Sequence, residues 1–214
     1  GFRAKDRVPH ARDFQNRHSV ELYRDAECGM RDAAPGSRAL EGVMEIHYRF
    51  CPTCAGPLES RRLKTGDPAR LVCSRCGQVL YLDPKVAVGT IIRTDDERLV
   101  LVRRAIEPGY GLWVFPGGYV DRGEEVTAAA VREAREESGL DVALEGLVNI
   151  YSYAPRSLIV IVYAARVLGG ELCTDEECME ARLFTPAEIP WDRLAFHSTS
   201  EGLRDYLGAA QGRT

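Results

Sequence analysis

Hydrophobic and polar positions divide the chain into three parts. Residues 1–43 show no sustained helical or strand period, residues 44–82 hold short apolar runs between cysteine-containing turns, and residues 83–208 hold long apolar runs. Because periodic apolar positions mark the elements that pack into a core, the second and third parts are predicted to fold as a small and a large domain. Residues 209–214 are predicted to be a tail.

The first part is rich in arginine and is predicted to be a disordered or non-native N-terminal extension. Met44 stands just before the first patterned segment, residues 46–50, so we expect Met44 to be the natural start of the protein. A small helix over residues 11–23 is the alternative interpretation.

The large domain alternates predicted strands with two predicted helices. A helix is expected over Val126–Ser138, where Gly139 ends it, and a closing helix over Ser200–Leu207. Hairpin turns join most of the strands, which indicates a mixed sheet sandwiched by helices, an α/β (α+β) fold, and not a parallel array. The predicted strands are rich in β-branched residues and cover Val86–Arg93, Leu99–Arg103, Leu112–Phe115, Leu144–Tyr153, Ser157–Val167 and Ala181–Phe184.

The small domain is defined by four cysteines in two CxxC pairs. Cys51 and Cys54 precede Cys73 and Cys76 by 18 intervening residues, and a glycine follows each pair. This spacing is typical of a four-thiolate zinc site. About 30 residues cannot bury a sufficient core, so metal binding is expected to supply folding energy. The sequence predicts a Cys₄ zinc ribbon with structural Zn²⁺ and short strands at 58–63, 70–72 and 78–82; two incidental pairs of buried cysteines are the alternative.

The remaining cysteines and the charge limit the cellular setting. Seven cysteines and no signal peptide indicate a reducing, cytoplasmic compartment. Cys173 and Cys178 are interpreted as free thiols, with a third metal pair as the alternative. No apolar run reaches the length of a membrane span. A net charge of −4 and a pI of 5.7 disfavour a broad nucleic-acid footprint but leave room for a small basic patch.

Carboxylates concentrate between residues 118 and 140. Glu133, Glu136 and Glu137 follow the spacing i, i+3, i+4, so they share one face of the predicted helix. Repulsion among them favours a bound cation, and carboxylate oxygens suit Mg²⁺ or Mn²⁺ better than Zn²⁺. A solvated acidic helix is the alternative.

The wider spacing of this stretch resembles the Nudix box, G-x5-E-x7-R-E-U-x-E-E-x-G-U, where U is a bulky aliphatic residue. Ala134 is small for its U position. Together with the ribbon, the box makes residues 50–207 similar to Nudix hydrolases of the ADP-ribose and FAD pyrophosphatase type. The matching positions are Gly118, Glu124, Arg132, Glu133, Glu136, Glu137, Gly139 and Leu140.

The resemblance implies roles for these residues. Glu133, Glu136 and Glu137 are implied metal ligands, and the Gly118 carbonyl is a further candidate ligand. Glu124 and Arg132 are expected to form an ion pair that orients the helix. A general base is expected from the loop before the last strand, where Glu176 and Glu177 are candidates and Glu180 is favoured; a solvated acidic loop is the alternative.

The implied reaction is hydrolysis of a nucleoside diphosphate linked to another moiety, which releases a nucleoside monophosphate and a phosphorylated product. The SQPWPFPxS-like segment of NADH pyrophosphatases is absent, and Pro155 lies 15 residues beyond Leu140, as in ADP-ribose pyrophosphatases. ADP-ribose or FAD, with AMP as product, is therefore the expected substrate. NADH, dinucleoside polyphosphates and a nucleotide-sensing regulator are alternatives, and the relatives suggest a homodimer.

Aromatic and basic residues outside the box are candidate substrate contacts. Tyr151, Tyr153 and Phe196 are candidates to stack on an adenine or flavin ring, with ordinary packing as the alternative. Arg103 is a candidate phosphate contact, and Arg104 and Arg156 are further candidates, with solvated arginines as the alternative.

Overall fold

The computed structural model describes residues 48–211. The predictions for residues 1–43, including the alternative helix and the start at Met44, lie outside these residues. No helix within residues 48–211 combines the length and the apolar character that a membrane crossing requires.

The cysteine region forms a three-stranded antiparallel sheet. Its strands are β1 (Leu58–Arg61), β2 (Arg70–Cys73) and β3 (Val79–Leu80), with β2 in the centre. Leu58 pairs with Cys73 at one end of the β1–β2 ladder, and Arg61 pairs with Arg70 at the other. β1 ends two residues earlier than predicted, and β3 is shorter than the predicted strand at 78–82.

Residues 83–211 contain six strands and two α-helices. The chain closes with short 3₁₀ turns at Pro186–Glu188 and Trp191–Arg193 before the last helix. That helix runs three residues into the predicted tail. In chain order the elements are β4 (Lys85–Arg93), β5 (Leu99–Arg104), β6 (Trp113–Val114), α1 (Val126–Ser138), β7 (Leu140–Ser152), β8 (Leu158–Gly170), β9 (Cys178–Phe184) and α2 (His197–Gln211).

The six strands form the mixed sheet that the sequence predicts. Their order is β6-β5-β4-β8-β7, and β9 pairs with β5. β4 runs parallel to β8 over nine paired residues, from Lys85–Leu158 to Arg93–Arg166, and the other pairs are antiparallel. The 64 residues between β4 and β8 contain β5, β6, α1 and β7. Hairpin signals concern neighbouring strands, so they did not reveal this parallel pair.

Small residues let α1 approach the sheet closely. Ala129, Ala130 and Ala134 are completely buried on the face of α1 that packs against β4 and its neighbours. The Thr90 hydroxyl in β4 donates to the Ala130 carbonyl at 3.1 Å, which ties strand to helix. Gly139 ends α1 in the left-handed conformation, with φ of 71°, and its amide donates to the Arg135 carbonyl. The predicted bounds of this helix agree with the structure.

α2 belongs to a second and larger core cluster. Leu203 is completely buried there and Tyr206 nearly so, together with Trp113 and Phe115. The ring of Phe115 also fills the space beside Gly89 in the middle of β4, where a Cβ would lie 2.1 Å from a ring carbon. Gly89 therefore matters for packing rather than for backbone freedom.

Substituting Gly89 should measure how tightly the ring and the strand fit. We expect Gly89→Ala to lower the free energy of unfolding by about 1–3 kcal/mol, because the added methyl forces Phe115 from its place. Gly146→Ala is the matched control, since a Cβ there meets no atom within 4 Å. Urea denaturation followed by tryptophan fluorescence measures both variants, and equal stabilities of the two would contradict the packing account.

Candidate active site and zinc centre

The site is built where a glycine loop runs alongside β4. The amide of Val88 donates to the Gly118 carbonyl, and the amide of Thr90 donates to the Pro116 carbonyl, each at 2.8 Å. A Cβ on Gly117 would lie 2.2 Å from the Val88 carbonyl oxygen, so the approach requires glycine. The loop is therefore held close to β4, the strand against which α1 packs. At this place the loop backbone contacts the carboxylates of α1.

Glu137 is the most enclosed of these carboxylates. Its residue is 5% exposed, and its Oε2 accepts a hydrogen bond from the Gly117 amide at 2.8 Å. Burial raises the pKa of Glu137 to about 8, and the charges of Glu133 and Asp175 add to this effect. A buried carboxylate with nearby carboxylates is short of positive charge, so the side chains fit a hard cation in this place.

Glu133 lies directly under the glycine loop. A Cβ on Gly118 would lie 2.7 Å from both carboxylate oxygens of Glu133, so the absence of a side chain lets the acid approach the backbone. Burial raises the pKa of Glu133, while Arg132 lowers it. The Gly118 carbonyl already accepts the Val88 hydrogen bond, and its second lone pair remains for a cation.

Arg132 organises the charges of the box. Its guanidinium donates to both carboxylate oxygens of Glu124, at 2.8 and 3.0 Å, to Glu133 at 2.7 Å and to Glu136 at 2.9 Å. The expected ion pair between Glu124 and Arg132 is therefore present. The Glu136 side chain is half exposed, so its carboxylate faces solvent as well as Arg132.

The acidic loop before β9 lies beside the same helix end. The Cys173 amide donates to the Ser138 carbonyl at 3.0 Å, and the Ala105 amide donates to the Glu177 carbonyl at 2.7 Å. Asp175 accepts the Glu177 amide at 2.9 Å, which closes the loop. Burial raises the pKa values of Asp175 and Glu177, and the charge of Glu136 raises both further.

Glu180, the favoured base from the sequence, takes a different place. It lies in β9, opposite Arg103 of β5, and is exposed. Glu176 and Glu177 are exposed as well, so exposure does not separate the three candidates. Among the loop acids, Asp175 and Glu177 are the ones whose charges act on Glu137 and Glu133, respectively. The general base at Glu180 stays a prediction, and spacing alone could not rank three glutamates that share one short segment.

Arg104 lies closer to the box than the sequence indicated, since Arg103 was the first candidate for a phosphate contact. Its Nε donates to the Pro108 carbonyl at 2.8 Å, and its guanidinium lies 5.1 Å from the centre of the Phe196 ring. Its positive charge lowers the pKa of Glu137 and of Glu177. Arg103 instead donates to the Gly111 carbonyl at 3.0 Å. Neighbouring strand residues face opposite sides, and only the fold shows which side the site occupies.

The aromatic residues predicted to stack on a substrate ring lie in different environments. Phe196 contacts Arg104 beside the box, and the Tyr153 ring meets His197 edge-on at 5.2 Å. Tyr151 is 6% exposed within the core, and its hydroxyl donates to Asp205 at 2.7 Å, which favours the packing role that the sequence left open. Pro155 lies exposed in the turn between β7 and β8.

The four cysteines of the small domain form a compact cluster. Their Sγ atoms all lie within 4.8 Å of one another, with Cys51 to Cys76 at 3.7 Å and Cys54 to Cys73 at 3.5 Å. Sulfurs held tetrahedrally at about 2.3 Å from Zn²⁺ would be about 3.8 Å apart. The donor set and the spacing therefore fit a structural zinc ion.

Backbone amides support this cluster. The amides of Cys76 and Arg75 donate to the Cys73 Sγ at 3.5 and 3.4 Å, and together with the Cys54 and Cys76 thiols they lower the pKa of Cys73 to about 6. Gly77 has a φ of 74°, as expected for the knuckle turn, but in the first knuckle the positive φ belongs to Ala55. Gly56 is needed there for space, because its Cβ would lie 2.9 Å from the Cys73 sulfur.

The other two described cysteines differ from this cluster. Cys173 is exposed and Cys178 is buried, and neither forms a disulfide. Within residues 48–211, the four ribbon cysteines are the only group of three or more cysteine, histidine and acidic residues whose ligand atoms all lie within 4.8 Å of one another. The carboxylates of Glu133, Glu136 and Glu137 do not form such a group in this structure. A third metal pair at Cys173 and Cys178 has no support here.

Two family models match the chain. The NUDIX domain matches residues 83–205, and the Nudix N-terminal zinc ribbon matches residues 49–82. An ADP-ribose pyrophosphatase from Methanocaldococcus jannaschii is 38% identical over 132 residues, which cover 60% of this chain and 76% of that protein. An NAD-capped RNA hydrolase from Stutzerimonas stutzeri is 27% identical over 150 residues, 70% of this chain and 52% of the longer relative.

A solved structure extends the likeness over most of the described residues. The NUDIX hydrolase from Nitrosomonas europaea has a TM-score of 0.73 and 30% sequence identity, and the match covers 77% of this chain and 93% of that chain. The match to this structure therefore covers more of the chain than the NUDIX domain match over residues 83–205.

Removing one ligand sulfur should test the zinc centre. We expect Cys73→Ser to lose zinc readily to a chelator and to expose the ribbon to protease, because metal binding supplies its folding energy. Cys173→Ser is the control and should retain about one zinc per chain, since that exposed thiol lies outside the cluster. Zinc is measured by mass spectrometry, and a Cys73→Ser protein that holds zinc as tightly as the control would refute the site.

Proposed function

The chain belongs to the NUDIX family of hydrolases, and we propose that it hydrolyses the pyrophosphate bond of ADP-ribose or FAD with Mg²⁺ or Mn²⁺. AMP and a phosphorylated product would be released. The observation that carries the proposal is the arrangement of Arg132 with Glu124, Glu133 and Glu136 beside the buried Glu137. All the acidic positions of the box are present, which favours an enzyme over a regulator that only binds nucleotide.

The choice of substrate follows the most similar relatives. The M. jannaschii relative is named an ADP-ribose pyrophosphatase, and its 38% identity extends over three quarters of its length. The NAD-capped RNA hydrolases match with lower identity and over about half of their length. We therefore place ADP-ribose before NADH-type substrates. The homodimer and the cytoplasmic location stay predictions from the sequence.

The residues of the site suit attack by water on an anionic phosphorus centre. Bound divalent ions neutralise the pyrophosphate and lower the pKa of water, which is the chemistry that enzymes of this family draw from them. Glu133, Glu136 and Glu137 would hold these ions, and the Gly118 carbonyl would add an oxygen. Arg132 keeps Glu124 and Glu133 in place, so the acids are positioned before substrate arrives.

Arg104 would contact the substrate beside these acids. The Pro108 carbonyl and the Phe196 ring hold its guanidinium near Glu137, where it would meet a phosphate oxygen. Phe196 would then lie within reach of the group attached to that phosphate. Tyr153, which follows β7, contacts the ring of His197 at the start of α2. Arg103 has its Nε turned to Gly111 and is the weaker candidate.

We assign the general base to Glu177. Its loop is tied to Ser138 and to Ala105, so its carboxylate is held near the end of α1 that carries Glu136 and Glu137. Glu177 would take a proton from the attacking water as its oxygen bonds to phosphorus and the bridging P–O bond breaks. The leaving phosphate carries away the bond electrons.

A substrate panel with one buried variant tests the reaction. Purified protein with Mg²⁺ or Mn²⁺ should release AMP from ADP-ribose or FAD faster than from NADH, diadenosine polyphosphates or capped RNA. Glu137→Gln should keep the fold and lower kcat by about a thousand-fold or more, because an amide holds a cation poorly. Glu171→Gln, an exposed change, is the control. Tight ADP-ribose binding without hydrolysis of any substrate would favour the regulator instead.

Two glutamine variants separate the candidate bases. We expect Glu177→Gln to lower kcat by about 10²–10⁴-fold with little change in KM, as loss of general base catalysis does. Glu180→Gln should keep most of the activity, because Glu180 lies in β9 opposite Arg103 and is not among the charges that act on Glu133 and Glu137. Steady-state kinetics on ADP-ribose measures both, and a larger loss in Glu180→Gln would return the assignment to that residue.

A further inference from the structure

The ribbon carries a charge opposite to that of residues 83–211. Residues 48–82 contain six arginine and lysine side chains and two acidic ones, whereas residues 83–211 contain 13 basic and 22 acidic side chains. The whole-chain charge of −4 is a sum in which the positive ribbon is hidden by the acidic residues 83–211. A polyanion would therefore meet attraction at the ribbon and repulsion elsewhere.

Four of the six basic side chains of the ribbon lie at the end opposite the cysteines, in the same region as the acidic Asp67 of the β1–β2 loop. Arg61 in β1 pairs directly with Arg70 in β2, at the far end of the ladder from Cys73. Two like charges facing each other across strands destabilise a sheet. Glu59 bonds Arg61 at 2.8 Å, but both side chains are half exposed, so this pair contributes little. Such a pair of arginines becomes favourable when an anion binds between them.

An aromatic ring continues this row. The guanidinium of Arg70 lies 5.2 Å from the centre of the Tyr81 ring, just after β3, and Tyr81 is 59% exposed. The row thus runs from Arg61 through Arg70 to Tyr81 across three strands. Beyond it, the β1–β2 loop adds the exposed side chains of Arg62 and Lys64.

We propose that this tip, formed by Arg61, Arg62, Lys64, Arg70 and Tyr81, binds single-stranded RNA. Arginine and lysine would bind successive phosphates, and a base would stack on the open face of Tyr81. An acidic peptide would use the charges but leave the aromatic ring without a partner. The choice of RNA over DNA rests on the proposed function, whose substrates are ribonucleotides; the binding surface itself does not.

Fluorescence anisotropy with a labelled oligouridine tests the surface on the full-length protein. We expect Arg62→Glu with Lys64→Glu to weaken binding at least ten-fold and to reduce the slope of log K against log salt, because two phosphate contacts are lost. Tyr81→Leu should weaken binding about ten-fold, whereas Tyr81→Phe should bind as the parent protein does, because the ring stays.

A charge-matched control separates this surface from general attraction. Arg166→Glu with Arg182→Glu removes the same charge from exposed positions on β8 and β9. Binding lowered equally by both double variants, or insensitive to Tyr81→Leu, would overturn the proposal, as would preference for the matching DNA or for a duplex. Zinc content confirms the ribbon fold of each variant. ADP-ribose hydrolysis, measured separately, should be unchanged, so failure of the RNA surface and failure of the proposed enzyme are told apart.

Discussion

The close packing of α1 on β4 is the constraint on which the rest of the site depends. Ala129, Ala130 and Ala134 are completely buried, so helix and strand approach without large side chains between them. The Pro116–Gly118 loop lies along the edge of β4, where the amides of Val88 and Thr90 hold it. Helix and glycine loop are thereby fixed to one strand, and the carboxylates of the helix meet the backbone of the loop.

This arrangement concentrates negative charge, and two arginines partly neutralise it. Arg132 bonds three carboxylates on its own segment, and Arg104 brings a positive charge from β5 toward Glu137. Neither contacts the buried end of Glu137 with a hydrogen bond, where the Gly117 amide is the donor. The remaining shortage of positive charge is what a divalent cation and its phosphate ligand would supply.

In the zinc ribbon, some features follow from neighbours along the chain and others from the pairing of distant strands. Its knuckles are local turns, so two short spacings identify all four cysteines, and the cluster that they form is compact. Gly56, after the first knuckle, is needed because a side chain there would collide with the Cys73 sulfur. The positive φ of that knuckle belongs to Ala55. The charge of the ribbon tip depends on which strand faces which, and no local spacing reveals the pairing of Arg61 with Arg70.

The sequence by itself determined the features that one segment carries. The bounds of α1, the ion pair of Glu124 with Arg132 and the cysteine cluster follow from spacing within helices and turns, because neighbours along the chain set those contacts. Only the tertiary structure decided that Arg104 and Glu177 lie near the box, that Tyr151 is buried and that β4 pairs with β8. Strand order and the side on which each strand residue lies join distant segments, and their free energy comes from packing that no single segment contains.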